Sequence, residues 1–173
     1  MAITITETVG SASATSYVTE QEFQTYAEQR VSSVAVDRAD GDQRRRAMVS
    51  AFRRLNQCLW VGERVSATQA GAWPRVGAPK PDPVGVLNAG YGAGWVGRDV
   101  YLTTEIPQAV KDAQCELACA YLDGFDEYGD RITRASQDGM SYEKQFARPV
   151  NGLPGAVMRL IGPLLDGPRL VRG

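Results

Sequence analysis

Arginine residues are concentrated between positions 44 and 75, where their positive charges could bind a ligand. Guanidinium groups spaced along a groove could bind phosphates, and Trp60, Trp73 or Trp95 could stack on bases. The alternative is a solvated helix face whose charges pair with acidic residues of the same subunit or of a neighbour. A formal charge of −1 argues against a dedicated duplex-DNA binder and favours this alternative. The arginines concerned are Arg44, Arg45, Arg46, Arg53, Arg54, Arg64 and Arg75.

Catalytic and metal-binding chemistry is disfavoured by the residue types present. The chain contains no histidine, which removes imidazole general bases, Ser-His-Asp and Cys-His arrangements and imidazole metal ligands. A cluster of carboxylates lies in a glycine-containing turn, without an apolar wall to raise a pKa and without calcium-loop spacing. We therefore predict no enzymatic activity, no cofactor and no metal site. The carboxylates are Asp123, Asp126, Glu127 and Asp130.

The cysteines are predicted to be reduced thiols outside any disulfide or zinc site. Cys58, Cys115 and Cys119 are odd in number and lack CxxC spacing. Cys115 and Cys119 lie four residues apart in a helical segment, where a thiol usually serves as a small core side chain. The sequence shows neither a signal-peptide pattern nor an apolar run long enough to span a bilayer. We expect synthesis in a cytoplasm and no membrane partner.

A glycine-rich stretch interrupts the chain at residues 88–97. Its glycine density disfavours a stiff element and leaves Tyr91 and Trp95 as exposed aromatic residues at a loop tip, where they could contact a partner. The stretch lacks the Gly-Lys-Ser/Thr ending of a phosphate-binding P-loop, so nucleotide binding is not predicted.

Hydrophobic periodicity predicts a mainly α fold, a small bundle of about four helices. Thr19 and Glu22 form a capping-box pattern that starts the first helix. Met48, Phe52 and Leu59 belong to the apolar stripe of the second helix. The first predicted helix spans residues 19–30, the second runs from Asp40 or Asp42 to Leu59, and the third runs from near Thr104 or Glu105 to a stop at Gly124. A short last helix opens at Pro154 and ends or kinks at Gly162-Pro163.

The remaining segments complete a single domain over residues 1–173. Residues 1–16 are predicted to form a short strand or an extended arm. Residues 62–103 form a long loop or an irregular hairpin, in which Val84 and Val86 could pair with Val100 and Leu102. Residues 131–152 are expected to be polar and irregular. Residues 153–173 form the last helix and an extended C-terminal tail.

A Trp-Pro-Arg tripeptide marks the point where the long loop leaves the helices. Pro74 restricts Trp73 to an extended backbone, and the indole combines a large apolar surface with one N–H donor. Arg75 could then reach a carboxylate or a carbonyl. We interpret this element as a rigid structural anchor. The predicted anchor residues are Trp60, Trp73, Pro74, Arg75, Ile106 and Pro107.

Several of these motifs occur in one order in a known group of proteins. The order is Ser16-Tyr17-Val18 before the first helix, Trp60-Val61-Gly62, the run 68–75 ending in Trp-Pro-Arg, the run 106–111 beginning Ile-Pro, and a C-terminal Leu164-Leu165 helix with a basic end. This order resembles the head–tail connector (adaptor, or head-completion) proteins of tailed bacteriophages. In particular, it is similar to the group labelled DnaT-like single-stranded DNA-binding proteins.

The resemblance implies a non-catalytic virion protein. Such a subunit would form a ring, commonly of twelve copies, at the head–tail junction between the portal and the next neck or tail protein. Genomic DNA would pass through the lumen without sequence-specific binding. The C-terminal segment would dock on the portal. The docking residues would be Leu164, Leu165, Arg169, Leu170, Val171 and Arg172.

Charge complementarity suggests how copies could meet in such a ring. Residues 105–130 contain one lysine and seven carboxylates, whereas the preceding helix is arginine-rich. A basic helix and an acidic helix would make a repeating contact between subunits. We predict an interface of Arg44, Arg45 and Arg53 with Asp112 and Glu116. The alternative function is a single-stranded DNA-binding accessory protein that uses the arginine-rich helix.

Overall fold

The computed structural model describes residues 3–32, 34–81, 99–126, 132–137, 140–145 and 152–166. This part of the chain contains five α-helices and two short antiparallel strand pairs. This confirms the predicted mainly helical fold with a β-hairpin. The elements are α1 (Glu20–Glu28), α2 (Val34–Arg38), α3 (Gly41–Leu55), β1 (Glu63–Arg64), β2 (Arg75–Val76), α4 (Gln108–Leu122), β3 (Ile132–Gln137), β4 (Met140–Gln145) and α5 (Gly155–Ile161), which a 3-10 turn (Gly162–Leu164) follows.

Two capping boxes start the helices of the N-terminal half. Thr19 accepts a hydrogen bond from the Glu22 amide at 3.0 Å, and the Glu22 carboxylate accepts one from the Thr19 amide at 2.7 Å. Asp40 and Gln43 form the same reciprocal pair at the start of α3. Each box satisfies amide groups that the first helical turn leaves without intrahelical partners. The predicted starts of both helices are confirmed.

The prediction that α3 continues to Leu59 is wrong. The helix ends at Leu55, and Leu59 is 77% exposed and lies outside the core. The Trp60 indole N–H donates to the Leu55 carbonyl oxygen at 2.9 Å, and the Cys58 amide donates to the same oxygen at 3.1 Å. Trp60 therefore folds back on the helix end instead of extending its stripe. The buried residues of α3 are Ala47, Met48, Ala51, Phe52 and Leu55.

The central helix α4 begins later than predicted. Pro107 is its N-cap residue, with ψ of 139°, so the helix starts at Gln108 rather than near Thr104 or Glu105. A proline disfavours helical backbone at the residue before it, which explains why Ile106 stays outside the helix. The predicted stop is confirmed, since Gly124 follows the helix with a φ of +87°. Helix α4 packs against α3 and α5 and carries the largest share of the helical core.

Residues 131–152 were predicted to be irregular, and this is wrong for residues 132–137 and 140–145, which form strands. Strands β3 and β4 pair antiparallel, with Ile132 opposite Gln145 and Gln137 opposite Met140. The sequence signal for this hairpin is the dipeptide Asp138-Gly139, which favours a tight two-residue connection. The polar composition of both strands hides the alternation on which strand prediction depends.

The long segment after α3 contains a small strand pair and an isolated bridge. Arg64 lies opposite Arg75 in the β1–β2 pair, and Pro79 bridges to Val100. Val84 and Val86, the other half of the predicted hairpin, lie outside the described residues, as do Tyr91 and Trp95. A side chain at Gly62 would collide with the Val76 carbonyl oxygen, and its φ is +75°, so this position requires glycine.

Three further segments complete the comparison with the sequence. The N-terminal segment folds back on itself, since the Thr15 and Ser16 amides both donate to the Thr6 carbonyl oxygen. Helix α2 was not predicted, because five residues are too few to show a helical period. Helix α5 opens after Pro154 and ends at Gly162, as predicted. No helix in the described ranges is long and apolar enough to cross a membrane.

A buried glutamine joins three of these segments. Gln114 lies in the middle of α4 and is 0% exposed. Its side-chain oxygen accepts from the Tyr17 amide at 2.7 Å. Its nitrogen donates to Ser16 Oγ at 2.8 Å and to the Met48 carbonyl at 3.0 Å. The amide therefore holds the segment before α1 and the middle of α3 onto α4.

We expect Gln114→Leu to lower the free energy of unfolding by about 2–3 kcal/mol, because the buried Tyr17 amide would lose its acceptor. The unfolding temperature would fall by about 4–12 °C for a chain of this size. Thermal and urea unfolding measure both quantities. Gln108→Leu, at an exposed position of the same helix, is the matched control and should change stability by about 0.5 kcal/mol or less. Equal stability of the two variants would contradict this role of Gln114.

Candidate functional site

The arginines of α3 divide into two groups with different surroundings. Arg44 donates to the Gln24 side chain at 2.9 Å and to the Ala39 carbonyl at 3.1 Å. Arg45 pairs with Glu20 at 2.6 Å and with Asp42 at 3.1 Å, and the hydrogen bond to Glu20 raises the pKa of this guanidinium. These two side chains therefore brace α3 against α1 and against its own first turn. They are already engaged within the subunit.

The second group lies on a different side of the helix. Arg46 and Arg53 are exposed, and so is Arg38 at the end of α2. Within the described ranges these three side chains make no ion pair and no hydrogen bond. A cluster of like charges without carboxylate partners repels itself unless an anion is nearby. This group is therefore the part of the surface best suited to bind an anion.

The unpaired arginines line a groove of about 1000 Å³, which we call the arginine groove. The side of the groove formed by α3, which we call the arginine wall, is a single stripe. Positions 46, 50 and 53 are separated by four and three residues, and Gln57 follows just beyond the helix end. Arg54 also lines it, with one guanidinium nitrogen 3.4 Å from the Gln57 side-chain oxygen. Asp126 is the one carboxylate among the described lining residues, against four arginines.

Two aromatic residues form the opposite wall of the arginine groove. Tyr121 lies in the last turn of α4 and Phe125 just beyond its end, and both are half-buried. Their ring centroids are 6.3 Å apart and their planes are inclined by 40°. Half-buried rings beside unpaired guanidinium groups combine a stacking surface with positive charge. This combination is typical of sites for single-stranded nucleic acid.

Sequence reasoning missed this aromatic wall. It nominated the tryptophans as stacking residues, but Trp60 and Trp73 are buried and stack edge-on against each other with centroids 5.8 Å apart. Trp95 lies outside the described residues. The i, i+4 spacing of Tyr121 and Phe125 was the available signal. It was obscured because Tyr121 was assigned to the buried stripe of α4.

Four of the six predicted anchor residues come together where the chain leaves α3, namely Trp60, Trp73, Pro74 and Arg75. Trp73 is 1% exposed and precedes Pro74 through a cis peptide bond. Arg75 donates to the carbonyl oxygens of Trp60, Val61, Gly62 and Ala72, so it binds carbonyls rather than a carboxylate, and burial lowers its pKa. Pro107 is buried and Ile106 packs against the core. Arg75 is thus committed to the chain itself.

The residues predicted to join neighbouring subunits are dispersed in this structure. Glu116 pairs with Arg30 at 3.1 Å and accepts from the Tyr26 hydroxyl at 3.2 Å. Asp112 accepts from Gln108 at 2.8 Å. Arg44 and Arg45 contact α1, and Arg53 lines the arginine groove. Helices α3 and α4 therefore meet through their apolar faces, and an interface between copies stays a prediction.

The predicted docking residues fall into two sets. Leu164 is 0% exposed, so its side chain belongs to the core of this subunit and is not an exposed docking residue. Leu165 bridges to Trp60 and is half-buried. The Val61 amide donates to the Leu164 carbonyl at 3.0 Å, which ties this segment to the end of α3. The other docking residues, Arg169, Leu170, Val171 and Arg172, lie outside the described residues.

The buried cysteines and the acidic residues of the described part of the chain offer neither a reactive thiolate nor a metal site. None of its Cys, Asp or Glu residues form a group that could hold a metal ion. Cys115 and Cys119 are buried in α4 and form no disulfide. Burial raises the pKa of both thiols, that of Cys119 to about 11, so neither is a thiolate at neutral pH. Glu127 and Asp130 of the predicted acidic cluster lie outside the described residues.

Comparison with known proteins gives one result. Residues 1–85 match the model of a family described as "Putative DnaT-like ssDNA binding protein". The matched part contains α1 to α3 and the arginines of the arginine groove, whereas Tyr121 and Phe125 lie beyond it. No curated protein and no solved structure matches the chain significantly. The match supports the DnaT-like part of the sequence resemblance. The connector, ring, portal and neck assignments stay predictions.

The thiols should differ sharply in reactivity in the native protein. At pH 8 we expect Cys58, which is half-buried, to react with a disulfide reagent within minutes. Cys115 and Cys119 should react only as fast as the protein opens, because burial raises both pKa values. Absorbance of the released thiolate follows the reaction, and Cys58→Ser is the control that should remove the fast phase. Rapid reaction of all thiols would show that α4 is not buried as described.

Proposed function

We propose that this protein binds single-stranded DNA in the arginine groove. The observation that carries the proposal is the joint placement of unpaired Arg38, Arg46 and Arg53 opposite the rings of Tyr121 and Phe125. The arginines would neutralise backbone phosphates, and the rings would stack on bases. The partial family match supports the same conclusion, since the matched residues include all three arginines.

The three groove arginines are suited to bind phosphate because their guanidinium groups have no partner within the described residues. A guanidinium group that already holds a carboxylate must give up that pair before it can bind a phosphate. Arg38, Arg46 and Arg53 carry no such cost within the described residues. Arg45 does carry it, through Glu20, and Arg44 is engaged instead by hydrogen bonds to the Gln24 side chain and the Ala39 carbonyl. We therefore place the proposed phosphate site on the groove side of α3 rather than along the whole arginine run.

A single strand fits this site better than a duplex. The duplex carries one charge per about 1.7 Å of axis, and its binders usually present a broad basic surface. Here the whole chain carries a formal charge of −1, and four arginines line the groove. Base stacking on Tyr121 or Phe125 also requires an unpaired base, because paired bases expose only their edges.

The predicted connector role is a separate hypothesis. It requires a ring and a portal partner, and no described surface of this chain identifies either one. Its test is assembly in the presence of the portal protein, and failure to co-assemble would contradict it. A subunit of a ring could also bind DNA in this groove, so the two hypotheses are compatible.

Removing groove arginines should reduce the salt dependence of binding. For Arg46→Ala/Arg53→Ala we expect a weaker affinity for a dT oligonucleotide and a log K versus log salt slope that is shallower by about 1.4, since each phosphate contact with a single strand contributes about 0.7. Fluorescence anisotropy over a range of salt concentrations measures the slope. Arg64→Ala/Arg159→Ala removes the same charge at exposed positions outside the groove and should leave the slope unchanged. Equal effects of both variants would locate binding elsewhere.

Removing the groove aromatics should act on affinity and not on the salt slope. Tyr121→Leu/Phe125→Leu keeps apolar bulk but removes both stacking faces, and stacking contributes about 1–3 kcal/mol per base. We expect the dissociation constant to rise at least about 30-fold, because two stacked bases are lost, and the slope to stay unchanged, because no phosphate contact is lost. Tyr101→Leu, a half-buried aromatic residue that packs on Trp73, is the matched control. Thermal unfolding of each variant shows that it remains folded. Unchanged affinity of the double variant would contradict the stacking role.

A further inference from the structure

We infer that the arginine groove selects a short segment of about four nucleotides in an extended, unstacked conformation, and that it therefore favours thymine-rich over adenine-rich strands. The inference rests on the proposed function and adds the conformation and length of the bound strand. The inference is carried by two distances, the separation of the two aromatic rings on one wall and the separation of Arg46 and Arg53 on the other. Both distances are larger than the spacing of neighbouring nucleotides in a stacked strand.

The aromatic wall sets the conformation of the bases. The Tyr121 and Phe125 centroids are 6.3 Å apart, whereas neighbouring nucleotides of a stacked strand rise by about 3.4 Å. Two adjacent bases therefore cannot rest on the two rings and stay stacked on each other. The rings are inclined by 40°, so they do not form a parallel slot for one intercalated base. Under the proposed function each ring would instead stack on a separate base.

The arginine wall sets the length of the segment. The helical part of this wall, from Gln43 to Arg54, runs over 11 residues, which correspond to about 16.5 Å along a helix axis, and Gln57 lies beyond the helix end. A stacked strand would cover this distance in about five nucleotide steps, and a fully extended strand, at roughly twice the stacked spacing, in about two to three. Arg46 and Arg53 lie seven residues apart, about 10.5 Å. They would contact phosphates that are about one to two extended steps apart.

Base composition follows from the cost of separating stacked bases. Unstacking costs up to a few kcal/mol per step, and purine strands stack more strongly than pyrimidine strands. An adenine run must give up its own stacking before its bases can occupy separate rings. A thymine run is already flexible and loses less. The groove should therefore discriminate by strand flexibility, without hydrogen-bond recognition of base edges.

A length series tests the inference. Unlabelled dT oligonucleotides of 2, 3, 4, 6 and 12 residues, and the matching dA series, compete with labelled dT12 for the full-length protein at one low salt concentration. We expect affinity to rise steeply up to about four nucleotides and afterwards only in proportion to the number of overlapping registers. At each length dT should bind several-fold more tightly than dA. A steep rise that continues to twelve nucleotides, or equal binding of dA and dT, would overturn the inference and leave the proposed function standing.

The two double variants distinguish the base preference from phosphate binding. In Tyr121→Leu/Phe125→Leu the preference for dT over dA should disappear, because no ring pair then forces the bases apart. In Arg46→Ala/Arg53→Ala binding should weaken while the preference persists. A preference that survives loss of both rings would contradict the stacking explanation. Absence of salt-sensitive binding for oligonucleotides of every length would overturn the proposed function itself.

Discussion

The hydrogen bonds of one buried side chain hold together the elements on which the rest of the structure depends. Gln114 binds the Tyr17 amide, Ser16 Oγ and the Met48 carbonyl inside an otherwise apolar core. A buried amide without partners costs more than its hydrogen bonds contribute, so the three segments must meet in one arrangement for all of these bonds to form. That arrangement sets the relative position of α3 and α4, and therefore the separation of the two walls of the arginine groove.

A second polar centre extends this constraint to the long loop. The Tyr17 hydroxyl accepts from the Ala72 amide at 2.8 Å and donates to the Asn56 side chain at the end of α3. Burial raises the pKa of Tyr17, so this hydroxyl keeps its proton and stays a donor at neutral pH. On the same flank Arg75 donates hydrogen bonds to carbonyl oxygens of the residues that follow α3. Polar groups thus organise one flank of α3 for stability, whereas Arg46 and Arg53 on the other flank have no partner among the described residues.

Local rules of sequence were reliable where the deciding interactions are local. Both capping boxes, the glycine stop after α4 and the break at Gly162-Pro163 depend on residues within one or two turns. They failed where distant contacts decide. Trp60 ends α3 by folding back on Leu55, which no periodicity shows. Leu164 was assigned to portal docking because the resemblance places docking in the C-terminal segment. Its side chain is buried, and its carbonyl accepts from the Val61 amide, about a hundred positions away.

The amino-acid sequence by itself determined the helical class, the starts of α1 and α3 and the absence of histidine chemistry, because these follow from residue type and near neighbours. Only the tertiary structure decided which arginines can bind a ligand. Arg45 and Arg46 are adjacent in the chain, but a helix turns them about 100° apart, so one meets Glu20 and the other faces the groove. The partner of a charge is set by what packs against each helix face, and that packing joins residues that are remote in sequence. The same holds for Tyr121 and Phe125, which become a wall of the site because α4 ends beside α3.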